Sequence, residues 1–282
     1  MSSPDGARHL LRRALPPGPD GLVCEIDPAS AGWDWTTFHV HRLGPGDTVA
    51  RPADDQERLV LLLEGHARVN AGDHDFGVIG SRMSVFDGPP CPVVLVEPGL
   101  DVTVTAQTQA LVAIAAATGG SVRRTALIEP GDILVETRGE GNTTRTIHHL
   151  LPPDAEAGRL IAFEAYTPGG NWSSYPPHKH DTEDPPREAR LEEIYFYRFA
   201  RPEGFAFQRV YTPDRSLDEI VAARDGDLVL VPGGYHPVAA AAGYDCYYLN
   251  IMAGPNRAWY FTVDPDHAWL MNWNPSAPRP TT

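Results

Sequence analysis

The chain lacks most of what would tie it to an oxidising compartment, a bilayer or a polyanion. Its three cysteines, Cys24, Cys91 and Cys246, are odd in number and far apart. They offer neither a disulfide framework nor a CxxC pair. A reducing cytoplasm is the simplest setting for them. No window approaches the roughly 20 uninterrupted apolar residues of a spanning helix. The opening "MSSPDGARHLLRRALPPGPDG" has adjacent arginines but no apolar core of secretory length. Positive charge is also short: 23 Lys and Arg against 37 Asp and Glu, a net of −14. Nucleic acids and membrane surfaces both need a basic face, so neither is expected as a partner. An anionic substrate would have to be held by local arginines or a metal against that field.

Long helical patterns are missing too. With 28 prolines and 26 glycines, the 282 residues break into short apolar runs. Examples are "RLVLLLEGHARV" (58–69), "ALVAIAAA" (110–117), "EIYFYRF" (193–199), "DLVLVPGG" (227–234) and "CYYLNIMAG" (246–254). Such Val-, Ile- and aromatic-rich runs between turn signals predict an all-β sandwich or barrel. In "FAFQRVY", Phe205, Phe207, Arg209 and Tyr211 share one face, and Ala206, Gln208 and Val210 the other. One helix is expected over 216–224, where Ser216 and Glu219 have capping-box spacing. The halves repeat one plan, "VLLLEGHARV" and "SVFDGPPCPVVLV" against "IYFYRFARPEGFAFQRVY" and "DGDLVLVPGGYHPV". This predicts domains at 21–120 and 121–275, a seam within 118–132, and tails at 1–20 and 276–282.

The second half holds the candidate chemistry in "SSYPPHKHDTEDPPREARLEEIYFY". On a strand, His178 and His180 project to one side and Lys179 to the other. His236 follows a Pro-Gly-Gly turn at the end of a β-run, where a barrel could return it to the same cavity. A glutamate at the head of "EIYFY" would complete a three-histidine, one-carboxylate set for a divalent first-row metal. Glu183 and Glu188 lie in a Pro-Pro loop and read as a solvated acidic turn. In "LEEIYFYRF", Glu193, Tyr195 and Tyr197 share a face that suits a polar cavity, and Glu192, Ile194 and Phe196 share one that suits packing. Glu193 is therefore the expected ligand, beside His178, His180 and His236.

These motifs resemble the cupin superfamily. "GDLVLVPGGYH" fits the second cupin motif closely, without its later asparagine. The first motif is stretched, with "DTEDPPREARLE" inserted between His180 and Glu193. Longer stretches, among them "YTPGGNWSSYPPHKHD" (166–181), "EEIYFYRF" (192–199), "AGWDW" (31–35) and "RGEGNTTR" (138–145), resemble the bacterial 5-deoxy-glucuronate isomerases of myo-inositol catabolism. The resemblance covers roughly residues 20–275. It implies two tandem cupin (jelly-roll) barrels, with one divalent metal in the second: Zn or Mn first, Fe or Ni also compatible. It also implies conversion of 5-deoxy-D-glucuronate to 5-dehydro-2-deoxy-D-gluconate, and bicupins commonly self-associate. The first half, read as having no HxH and with His66 and His74 as surface residues, would be a structural copy.

Aldose–ketose isomerisation needs a proton moved from C2 to C1, or a hydride shift, with oxyanion stabilisation and a base. Glu193, Gln208 and Tyr248 are the candidate catalytic groups. Arg145, Arg209, Lys179, Tyr195 and Tyr197 are the candidate substrate contacts, Lys179 the weaker because it alternates away from the metal. Gln208 and Arg209 cannot both face the cavity, and sequence leaves that phase open. Asn171, Trp172, Ser173 and Ser174 would form a rim. Two other readings fit the same ligands: a metal-dependent dioxygenase, or a non-catalytic sugar-binding cupin.

Overall fold

The short runs become strands in the computed structural model, which describes residues 10–122 and 124–273. The first group is β1 (Leu11–Arg12), β2 (Leu22–Ile26), β3 (Thr36–Leu43), β4 (Thr48–Arg51), β5 (Gln56–Ala71), β6 (His74–Arg82), β7 (Val93–Val96), β8 (Val102–Ala106), β9 (Ala110–Thr118) and β10 (Ala126–Ile128). The second begins with β11 (Leu134–Arg138), β12 (Arg145–Leu151), β13 (Ile161–Thr167), β14 (Trp172–Ser173), β15 (His178–Lys179) and β16 (Glu192–Phe199). It continues with β17 (Phe205–Tyr211), β18 (Asp218–Arg224), β19 (Leu228–Val231), β20 (Val238–Ala240), β21 (Cys246–Ala253) and β22 (Thr262–Val263). No helix among the described residues is long and apolar enough to cross a membrane.

The duplication is visible in strand order. One sheet contains β7-β5-β9-β3-β2, the other β19-β16-β21-β13-β12. The second sheet packs its inner face on a smaller one, β14-β20-β17-β18, around Tyr195, Tyr197, Val229, Ala206, Val210 and Val238. The opposite faces of the two large sheets bury each other. Phe38 meets Phe196 with ring centres 5.9 Å apart, and Leu59 and Leu61 share a core with Ile194, Leu230 and Ile251. Alternation along β16 thus puts Glu193, Tyr195 and Tyr197 inside the barrel, and Ile194 and Phe196 between barrels.

Three expectations need correction. Residues 216–224 contain no helix: β18 pairs with β17 over Asp218–Arg224, burying Val221 and Ala223. Ser216 Oγ bonds Asp214 Oδ1 within the preceding turn, and tertiary pairing overrides the local helical preference. The N-terminal stretch is not merely a tail, since β1 pairs with β19 of the second barrel and Arg13 pairs with buried Asp227. β10, placed by sequence in the second domain, pairs instead with β7 of the first. The expected tail at 276–282 lies outside the described residues.

Two buried carboxylates join the barrels reciprocally. Glu57, at the start of β5, accepts the backbone N–H groups of Gly158, Arg159 and Leu160 at 2.6, 2.5 and 2.7 Å. Glu192, at the start of β16, accepts those of Asp34, Trp35 and Thr36 at 2.6, 3.2 and 2.9 Å. The chain must pass close to Glu57: a Cβ on Gly158 would lie 2.7 Å from Glu57 Oε2 and 2.3 Å from the Ser121 nitrogen. Each carboxylate satisfies three amides that would otherwise be left unpaired. Glu57→Ala is expected to cost about 2–4 kcal/mol in equilibrium unfolding, with Glu192→Ala similar. An unfolding midpoint unchanged by either substitution would remove this role.

Candidate metal centre and active site

Three elements bring the candidate ligands together. β15 ends one residue before His180, β16 supplies Glu193, and the turn after β19 delivers His236. The ligand atoms of His180, Glu193 and His236 lie within 4.8 Å of one another, and all three residues are buried. Glu193 Oε2 sits 2.9 Å from His180 Nε2 and 3.0 Å from His236 Nε2. Burial alone would raise the Glu193 carboxyl, but the His236 and His180 imidazoles hold it well below the usual range. For His180, burial works against the charged ring and the Glu193 carboxylate outweighs it, so its pKa is raised.

The donor set fits a divalent metal. His236 Nδ1 lies 2.9 Å from the Gly234 carbonyl, which it meets as an N–H donor, and this turns the Nε2 lone pair inward. That buried Nε2 has no properly directed hydrogen bond despite its nearness to Glu193. A buried, unpaired acceptor nitrogen beside a carboxylate and a second imidazole is what a first-row cation would satisfy. His178 stands just outside the close group, its ring centre 4.9 Å from that of His236 and 6.3 Å from that of His180. Its Nδ1 meets the Pro176 carbonyl at 2.8 Å, which leaves Nε2 free of that bond. Burial, then the neighbouring His236, pushes the His178 ring down to about 3, so it is neutral at pH 7.

A cavity of about 220 Å³ opens beside the cluster, with His178, Glu193, Arg145, Tyr195 and Tyr248 in its wall. Burial and nearby groups raise the Tyr195 hydroxyl well above its usual range and Tyr248 to about 12. Both remain protonated and can donate hydrogen bonds to a substrate oxygen, but neither is a ready base. Tyr197 lies deeper, donating to Gln208 Oε1 at 2.9 Å. The open phase in β17 is resolved: Gln208 is buried and turned inward, with Nε2 3.4 Å from the His236 carbonyl. It supports His236 from behind.

Besides Tyr197, two expected substrate contacts lie elsewhere. Arg209 turns outward, paired with Asp218 at 2.7 Å and stacked on Tyr211, along a groove of about 540 Å³ on the sheet's outer face. Trp172 lies on that groove too, whereas Ser174 reaches the cavity and meets the Tyr195 hydroxyl at 3.2 Å. Lys179 Nζ contacts Asp181 at 2.5 Å and Glu188 at 2.7 Å. Glu188 is consequently no solvated turn residue: it is buried and also accepts the Asp181 and Thr182 N–H groups, each at 2.9 Å. Glu183 is exposed.

Sequence reading missed Asn250, Arg138, Trp259 and Phe261, which also line the cavity. Asn250 Nδ2 donates to Glu193 Oε1 at 2.6 Å and fixes the carboxylate from the far side. A lone amide inside "YYLNIM", in phase with Tyr248, was the available signal. The first half does contain an HxH, His39 and His41 on β3, contrary to expectation. Arg51 sits between them, its Nη2 3.0 Å from His39 Nδ1 and 2.7 Å from His41 Nε2. Arg58, paired with Val96 and Ala116, takes the register position that Glu193 takes opposite Val231 and Met252. Guanidinium groups occupy the first barrel where the second gathers its candidate ligands.

Two curled β-barrels, one with a buried His/Glu/His cluster, define a cupin-type protein. Oxalate decarboxylase from Lactobacillus farciminis shares the fold at TM-score 0.63 and 13% identity, over 94% of this chain and 90% of that one. The chain belongs to the KduI/IolB family, whose model matches residues 10–270. An IolB-like protein from Salmonella typhimurium LT2 superposes at TM-score 0.90 with 44% identity, covering 93% of this chain and 99% of that one. Two curated relatives carry the name 5-deoxy-glucuronate isomerase. That of Geobacillus kaustophilus is 45% identical, covering 93% of this chain and 95% of the relative. That of Geobacillus thermodenitrificans is 46% identical, covering 90% and 93%.

Proposed function

We propose that the protein is a metal-dependent aldose–ketose isomerase that converts 5-deoxy-D-glucuronate to 5-dehydro-2-deoxy-D-gluconate in cytoplasmic myo-inositol breakdown. The observation that carries this is the likeness, over nine-tenths of both chains, to proteins named for that isomerisation. His180, Glu193 and His236, with His178 as a fourth ligand, would hold one divalent ion, Zn or Mn first. Bound there, such an ion would supply Lewis acidity toward a carbonyl and its neighbouring hydroxyl.

The chain's own groups position the reactants. Tyr195 and Tyr248 donate hydrogen bonds to the oxygens at the reacting end of the sugar. Asn250 keeps Glu193 oriented, and Gln208 keeps His236 oriented. Phe261, its ring centre 4.8 Å from that of His178, screens that imidazole at the cavity wall. Arg145 supplies positive charge in an otherwise acidic protein.

Proton NMR of purified protein with 5-deoxy-D-glucuronate is the test. The ketose product is expected to accumulate, and prior chelation of the protein should abolish its formation. A metal-loaded sample with no turnover would end the isomerase reading. Oxygen consumption with a catechol would instead favour a dioxygenase.

A further inference from the structure

Arg138 and Arg145 are direct cross-strand partners in the β11–β12 pair. Like charges placed opposite each other on a sheet repel. Nothing in the fold requires this arrangement, since the rest of β11 is largely exposed. Both side chains line the cavity beside Glu193. Each is also held from behind. Arg145 donates to the Thr143 and Tyr175 carbonyls, both at 3.0 Å. Arg138 directs Nε at Glu136 Oε1, 3.0 Å away, and lies over the Trp259 ring with 5.1 Å to its centre. Glu136 is shared, since it also meets His149 Nε2 at 2.9 Å. A guanidinium held through Nε and stacked on an indole keeps its terminal nitrogens for a planar, two-oxygen acceptor.

We infer that Arg138 and Arg145 form a carboxylate clamp, which binds the acid end of a sugar acid while its carbonyl end reaches the His/Glu cluster. This rests on the isomerase reading and adds to it the basis of substrate selection. The anion relieves the repulsion between the two guanidinium groups, so the pair favours an acid over the corresponding neutral sugar. In 5-deoxy-D-glucuronate the carboxylate is C6, at the opposite end from the reacting C1 and C2. Arg138 is then a specificity-determining residue, and Glu136 and Trp259 position it.

The test uses calorimetric titration of the full-length protein with D-glucuronate and with D-glucose, which requires no turnover. Wild type is expected to bind glucuronate at least about tenfold more tightly than glucose, and Arg138→Gln should remove most of that preference. Arg138→Lys should restore part of it. Arg138 is the residue to change because Arg145 also ties two backbone carbonyls, and its loss could disturb the fold. If Arg138→Gln binds glucuronate within threefold of wild type, or if wild type shows no preference for the acid, the clamp is overturned. In the kinetic assay, Arg138→Gln should raise KM for 5-deoxy-D-glucuronate at least about tenfold and leave kcat within a few fold. Acid-selective binding that depends on Arg138, in a protein that does not isomerise the substrate, would keep the clamp and reject the isomerase reading.

Discussion

Glu193→Gln is expected to lower kcat/KM on 5-deoxy-D-glucuronate by about 10³-fold or more, and to leave the purified protein nearly free of metal. One oxygen of Glu193 faces both His180 and His236, and the other accepts from Asn250. Glutamine preserves the volume but removes the only negative charge in the cluster. A first-row cation held by neutral imidazoles alone loses its main electrostatic attraction. Circular dichroism and thermal unfolding should show a folded protein, which separates loss of the site from loss of the fold. Gln208→Ala is a useful contrast. Because Gln208 acts through the His236 carbonyl and Tyr197, its loss should cost only about 10- to 100-fold. If Glu193→Gln kept its metal and its activity within tenfold, another group would have to be the anionic ligand.

The second large effect concerns the seam between barrels. Glu164 on β13 and Arg82 on β6 form a fully buried ion pair across it. Tyr247 donates to the same carboxylate at 2.9 Å, and His148 Nδ1 lies 3.0 Å from its other oxygen. Arg82 also donates to the Leu63 carbonyl and the Tyr166 hydroxyl. Removing one partner of such a pair strands the other, so Glu164→Gln should cost about 3–5 kcal/mol in denaturant unfolding. The pH dependence has a definite sign. Burial opposes the Glu164 charge, but Arg82 and His148 more than offset it and hold the carboxyl at about 2, against an ordinary 4.5. A group lowered on folding contributes fully above its unfolded value and loses that contribution as pH falls through the folded one. Wild type should therefore lose stability between about pH 4.5 and 2, and Glu164→Gln should lose markedly less over that window. Equal acid sensitivity in the two proteins would assign the acid limb to other carboxylates.

Much of the fold was legible because strand patterning is local. The two-residue period in "LEEIYFYRF" separates cavity-facing Glu193 from Glu192, which bonds the other barrel. What escaped was decided by pairing partners. Residues 216–224 have a helical cap signal, yet β17 offers an unpaired edge and draws them into a strand. β1 and β10 exchange sides because register with β19 and β7, and not chain position, sets their sheet. Around the site, the approach of His180 and His236 to Glu193 was readable from spacing. Arg138 was not, because its neighbour Arg145 lies across a strand pair and Trp259 more than a hundred residues away. Glu188 looked like a loop carboxylate, and only the fold shows it buried against Lys179. The "FHVH" on β3 has the same spacing, which alone misleads, since Arg51 sits between its imidazoles.

The most direct measurement is a titration of chelated, metal-free protein with Zn or Mn, following turnover of 5-deoxy-D-glucuronate at each addition. The account predicts no turnover without metal and a linear rise that breaks at one equivalent per chain, because among the described residues the candidate ligand set gathers in the second barrel alone. Full activity in the metal-free protein, or a break at two equivalents, would contradict it.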